Sequence, residues 1–209
     1  ATQDLADLVS LLSSNPRAAG KSLEKRALFN GKDLAGWTFF LEDPKPKMED
    51  VWSAKDGVLH CKGRPIGCLR STEGFTNFVL TVEWRFDPGL GAGNSGVLVR
   101  MTGADKVWPK SVEAQLNSGD AGDIWNIDEV PMQVDPARTQ GRRTMKLAPS
   151  SEKPLGEWNR YVITVDGGEF TLEVNGVKQN EAHWMEEVPG KILLQSEGAP
   201  IEFRKVEIV

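Results

Sequence analysis

Apolar residues recur along this chain with two different periods. Over residues 4–13, Leu5, Leu8, Val9, Leu11 and Leu12 fall at helical spacing, and Asn15-Pro16 stops the run. The pattern predicts one short amphipathic helix and a polar linker reaching about Lys25. The role expected of that helix is to pack against the rest of the fold or cover a sheet edge. From Ala27 the period becomes two. Phe78, Leu80, Val82, Trp84 and Phe86 alternate with Val79, Thr81, Glu83 and Arg85, which predicts a strand over 78–86. Strands are also expected over 96–101, 111–116, 161–165, 170–174, 191–195 and 201–208. Asp166-Gly167-Gly168 and Asn175-Gly176 supply tight turns between them. Many short strands with no helices between them predict an all-β sandwich or barrel over 27–209, preceded by a helix and linker over 1–26.

The exception is 117–158. It has few regular runs and holds Asp120, Asp123, Asp128, Glu129, Arg138, Arg142 and Arg143. A stretch of this length in a compact domain is functional or mobile. Within it 131–134 has the composition of a strand, and the arginines read as a solvated loop ahead of an anion site.

Composition narrows the function classes. Of 209 residues, 39% are hydrophobic and 26% charged, as in an ordinary globular protein, and 21 glycines and 12 prolines favour turns over long helices. The net charge of −5 argues against a nucleic-acid partner. No apolar run reaches the roughly 18 residues of a membrane span. The chain starts at Ala1 without a methionine, as it would after loss of an export leader or after trimming. Cys61 and Cys68 lack the spacing of a zinc site or a redox pair. Gly63, Pro65 and Gly67 between them suit a hairpin that would bring the sulfurs together, against the alternative of two separate thiols.

Strand parity then separates core from candidate chemistry. Arg100 stands on one face of its strand, and Glu113 and Gln115 share a face opposite Val112, Ala114 and Leu116. Glu83 and Gln195 follow the same logic. If these strands are neighbours, their polar faces form one surface of planar hydrogen-bonding groups, and Trp108 and Trp125 in loop-like segments offer plates for the CH face of a sugar. The opposing reading is a polar sheet face washed by solvent. His60 and His183 are the only histidines, so a zinc site is not expected. Asp120, Asp123 and Asp128 could offer oxygens to Ca²⁺ but lack the spacing of a calcium loop. Neither a Gly-rich phosphate loop nor a Gly-x-Ser-x-Gly elbow is present.

Several segments together carry a family resemblance. They are 28–37 (LFNGKDLAGW), Trp52 with Asp56-Gly57-Val58-Leu59, the strand 78–86, and Gly93-Asn94-Ser95-Gly96-Val97 ending in Arg100. Further along come Val112-Glu113-Ala114-Gln115-Leu116, Gly156-Glu157-Trp158-Asn159, and Leu194-Gln195-Ser196-Glu197-Gly198 with Ile201-Glu202-Phe203-Arg204. In this order, over roughly 27–209, they resemble the 3-keto-disaccharide hydrolase domain family.

The resemblance implies a concanavalin A-like jelly-roll sandwich of two antiparallel sheets in an exported bacterial protein that handles carbohydrate. Part of the family carries a histidine after the Leu-Gln motif, where this chain has Glu197. The laminarinase-type Glu-x-Asp-x-x-Glu strand motif is absent; Glu113-Ala114-Gln115 is its nearest match. The resemblance places the site on the concave sheet, with Glu113, Arg100 and Glu83 as the catalytic candidates. Gln115, Asn94, Trp108, Trp125, Gln195 and Glu197 are the candidates for holding sugar. A ketone at carbon 3 acidifies the hydrogen on carbon 2, so a base can remove it, an enolate forms and the group on carbon 1 leaves. Glu113 is the expected base and Arg100, or a bound cation, the stabiliser of the enolate. No cofactor is expected beyond that divalent cation. The alternative is a non-catalytic carbohydrate-binding module using the same face.

Overall fold

The computed structural model describes residues 24–209, so the helix expected over 4–13 lies outside the described residues. The chain runs through β1 (Arg26–Ala27), β2 (Trp37–Leu41), the four-residue helix α1 (Met48–Val51), β3 (Trp52–Lys55), β4 (Val58–Cys61), β5 (Gly67–Ser71) and β6 (Phe78–Phe86). It continues through β7 (Gly96–Met101), β8 (Ser111–Gln115), β9 (Ile124–Ile127), β10 (Thr139–Gln140), β11 (Arg143–Thr144), β12 (Asn159–Asp166), β13 (Glu169–Val174), β14 (Val177–Ala182), β15 (Lys191–Ser196) and β16 (Ile201–Ile208). Two antiparallel sheets result. One has the order β14-β13-β12-β6-β16-β4-β3, with β1 added to β16; the other runs β10-β11-β9-β8-β7-β15-β5-β2. This is the jelly-roll sandwich that the period-2 pattern and the family resemblance predict.

The core follows from alternation. Leu80, Ile163 and Leu172 stand in one row across β6, β12 and β13, each fully buried. Val97, Val112 and Leu194 close on them from the second sheet within the same apolar cluster. Each such side chain stabilises the fold by about 1.5–3 kcal/mol relative to exposure. A second, smaller cluster lies apart from this core: Cys68, Leu98, Met101, Ile127 and Leu193, with Phe40 and Trp125 against it. By parity it occupies the other face of the second sheet, which is therefore not a plain solvated surface.

Two expectations change, and one strand is added. The 117–158 segment is partly sheet, since β9, β10 and β11 extend the second sheet past β8, while 131–134 contributes only a single bridge from Gln133 to His183. The strand β14 carries no apolar alternation because its buried Gln179 and Asn180 serve loop carbonyls. Asn180 Nδ2 donates to the carbonyls of Gly122 and Thr144 at 3.0 Å, and Gln179 Nε2 to that of Pro149 at 3.1 Å. The expected Cys61–Cys68 hairpin does not form. The chain crosses from β4 in one sheet to β5 in the other, and both cysteines are buried free thiols on opposite sides of the second sheet. Burial pushes the Cys68 thiol up to about 12, so it is unreactive at neutral pH.

Candidate functional site

Glu113 stands mid-strand in β8, in register with Leu98 of β7 and Trp125 of β9. Its neighbours Val112 and Ala114 point into the core, so the pleat sends Glu113 to the opposite face. There it is 5% exposed. Burial pushes its carboxyl up to about 8, and the charge of Glu197 adds to the shift; the Arg142 charge and the Gln195 amide work in the other direction. A carboxyl in this state is mostly protonated at neutral pH.

Gln195 reaches the same place from β15. Space for the two side chains comes from Gly96 on β7: a Cβ there would sit 2.2 Å from Gln195 Oε1 and 2.6 Å from Glu113 Oε1. Glycine at this position is favoured by that close approach, not by its backbone angle. Gln195 is 1% exposed, yet neither its Nε2 nor its Oε1 meets a partner with hydrogen-bond geometry.

Glu197 follows directly after β15. Its Oε1 accepts from Trp108 Nε1 at 3.2 Å, while its Oε2 is buried without a partner. Burial raises the Glu197 carboxyl, and the Trp108 hydrogen bond and the Arg142 charge hold it back. Trp108 itself is 46% exposed, which leaves ring surface for a sugar. Trp125 is less free, since the Arg142 guanidinium lies 5.2 Å from its ring centre and that of Arg143 lies 5.9 Å away. Asn94 sits in the turn two residues before Gly96, and its Oδ1 is also buried and unpartnered. Gln115 is committed locally: its Oε1 accepts from its own neighbours Leu116 N and Asn117 N at 2.8 and 2.9 Å. Any ligand contact from Gln115 must use Nε2.

Two of the expected catalytic residues are elsewhere. One extra residue on β7 relative to β15 forms a bulge between Leu98 and Met101, and Arg100 takes a φ of 55° there. Parity therefore fails at Arg100. Its guanidinium donates to the carbonyls of Thr76 at 3.0 Å, Gly167 at 2.7 Å and Glu186, tying three loops together. Glu83 lies on β6 of the other sheet, where Arg204 Nε at 2.6 Å and Lys205 Nζ at 2.9 Å neutralise it. That pairing overcomes its partial burial and leaves its carboxyl below the usual range. The arginine that does act on the site is Arg142, presented by the β10–β11 hairpin. Nothing local in the 117–158 segment distinguishes it from Arg138 or Arg143.

Two of the aspartates singled out in that segment are held by basic side chains. Asp123 accepts from Arg143 Nε at 2.6 Å, and Asp128 from Lys106 Nζ at 2.9 Å. Among the described residues there is no group of three or more His, Cys, Asp or Glu placed to hold a metal ion. His183 faces Glu169 at 2.5 Å and His60 faces Glu202 at 3.1 Å. Among the same residues, no helix is long and apolar enough to cross a membrane.

Comparison with known proteins bears on the family and the fold. The 3-keto-disaccharide hydrolase of Bacteroides thetaiotaomicron is 27% identical over 173 residues, covering 75% of this chain. The chain spans 57% of that relative's length. A candidate glycosyl hydrolase from Parabacteroides distasonis superposes with a TM-score of 0.66 at 22% identity, covering 89% of this chain and 98% of the other. The carbohydrate-binding module CBM66 from Bacillus subtilis superposes with a TM-score of 0.60 at 13% identity, covering 83% of this chain and 96% of the other. At these identities the two structures speak for the shared fold. The sequence pattern of the 3-keto-alpha-glucoside-1,2-lyase-like domain matches residues 24–209, and the chain belongs to that family.

Proposed function

We propose that this chain cleaves glycosides whose sugar carries a ketone at carbon 3. The observation that carries the reading is the carboxyl of Glu113, raised to about 8 beside a second carboxyl and the unpaired amide of Gln195. Buried polar atoms are almost always paired in native proteins, and each one left unpaired costs about 1–3 kcal/mol. A sugar supplies donors and acceptors for such atoms, and half-exposed Trp108 supplies a plate for its CH face.

The raised carboxyl suits the keto route. That route moves one proton off carbon 2 and one onto the leaving oxygen, and each transfer calls for a group whose pKa lies near the working pH. In this reading the Glu113–Glu197 pair exchanges protons with the substrate, and Gln195, Trp108 and Asn94 hold the sugar. An exported location, implied by the family resemblance, belongs to the same proposal.

A second reading, a non-catalytic carbohydrate-binding module, draws on Trp108 and on the likeness to CBM66. Incubation with 3-keto-glycosides and their unoxidised parents, followed by product analysis, separates the two. Release of the aglycone from the keto forms is expected. Sugar binding without release from any glycoside would favour the module.

A further inference from the structure

Glu113 and Glu197 couple electrostatically but do not share one environment. Glu113 is on the sheet itself, mid-strand, with Leu98 and Trp125 as its register neighbours. Glu197 lies past the end of β15, with Trp108 Nε1 donating to one oxygen and the other oxygen free of protein partners. A donor on a carboxylate oxygen favours the charged form, whereas deep burial favours the neutral one. Burial raises both carboxyls, Glu113 further because it lies deeper and Glu197 is held back by the Trp108 donor; of two such coupled carboxyls, the one held neutral serves as acid and the other as base.

We infer that the two have fixed and unlike roles: Glu113 gives its proton to the departing glycosidic oxygen, and Glu197 takes the hydrogen from carbon 2. This reverses the role that the sequence suggested for Glu113, and it rests on the function proposed above. In the elimination the Glu197 carboxylate removes the carbon 2 proton, and the electron pair enters the enolate of the carbon 3 ketone. The enolate then reforms the ketone and builds a carbon 1–carbon 2 double bond as the carbon 1–oxygen bond breaks. The leaving oxygen takes the Glu113 proton and departs as an alcohol. Glu113 is now ionised and Glu197 protonated, which is the arrangement needed to add water back. Glu113 accepts a proton from water as its oxygen bonds to carbon 1, and Glu197 returns a proton to carbon 2. The sum is hydrolysis, and both groups end as they began.

The groups that bear on this proton are few. Glu197 faces Glu113 from the end of β15, Arg142 from the β10–β11 hairpin, and Tyr161 from the core side, its hydroxyl donating to the Gln115 carbonyl. The Arg70–Asp105 ion pair lies farther along the same sheet, on the β5 side. Arg142 acts on both carboxyls and so does not by itself decide which keeps the proton.

The test compares two 3-keto-glucosides, one with a 4-nitrophenyl aglycone, which leaves without an acid, and one with a methyl aglycone, which does not. Glu113→Gln is expected to lose about 10²-fold or more on the methyl glycoside. It should lose far less on the nitrophenyl glycoside and keep exchange of the carbon 2 hydrogen in D₂O. Glu197→Gln is expected to lose about 10²-fold or more on both, together with the exchange. With the wild type alone, kcat/KM for the methyl glycoside should fall as pH rises past about 8, with no such fall for the nitrophenyl glycoside. That arm needs no variant to fold. Loss of carbon 2 exchange in Glu113→Gln with exchange kept in Glu197→Gln overturns the assignment, as does a falling limb of equal depth for both substrates. Absence of wild-type turnover on either substrate overturns the proposed function itself.

Discussion

The placement of Arg100 makes a prediction that separates structure from catalysis. Arg100→Met keeps most of the side-chain volume and removes a guanidinium that donates to the carbonyls of Thr76, Gly167 and Glu186. Hydrogen bonds from a charged donor contribute about 1.5–3 kcal/mol each. Three of them on one side chain do not add in full, because the loops relax and water reaches some of the freed carbonyls. A loss of about 3–5 kcal/mol is therefore expected, large for a single substitution. At a urea slope of about 2 kcal/mol/M, the midpoint falls by about 2 M, readable by circular dichroism. Turnover per folded molecule should stay within a few-fold of wild type, because the guanidinium is committed to loops away from Glu113. Arg100→Lys should recover only part of the stability, since one ammonium cannot span three carbonyls. A stability change below about 1 kcal/mol combined with a turnover loss near 10²-fold would refute this reasoning and return Arg100 to the site.

Two further outcomes follow from Glu113 and its surroundings. The Glu113 carboxyl ionises near 4.5 when free and near 8 in the fold, so between those values the unfolded chain binds fewer protons and stability falls as pH rises. At about 1.36 kcal/mol per pKa unit that slope totals roughly 3–5 kcal/mol, so Glu113→Gln should match wild type near pH 4 and exceed its stability at pH 9. Parallel stability curves for the two proteins would show that Glu113 is not held neutral. Gly96→Ala places a Cβ 2.2 Å from Gln195 Oε1 and 2.6 Å from Glu113 Oε1, both at the ends of side chains that can swing aside. Misplacement on the ångström scale should cut turnover by about 10²-fold while the unfolding midpoint moves little, and normal turnover would disconnect these two side chains from the chemistry.

What the sequence determined by itself was local. Alternation in 78–86 placed Leu80, Val82 and Trp84 in the core, and the same parity put Glu113 opposite Val112 and Ala114, because a pleat fixes the side of each residue within its own strand. The order of weak motifs along 27–209 pointed to the family. Tertiary structure decided everything that depends on which strands meet. Glu83 obeys parity as well as Glu113 does, yet β6 belongs to the other sheet, and no pattern within β6 states its neighbours. Arg100 fails for a different reason: one extra residue on β7 turns it away, and a bulge is a relation between two strands that one strand's periodicity does not carry. Cys61 and Cys68 part because the chain between them crosses between sheets. Arg142 reaches the two carboxyls only because the β10–β11 hairpin docks beside β9, so the electrostatics of the site come from a segment whose own sequence shows no period at all.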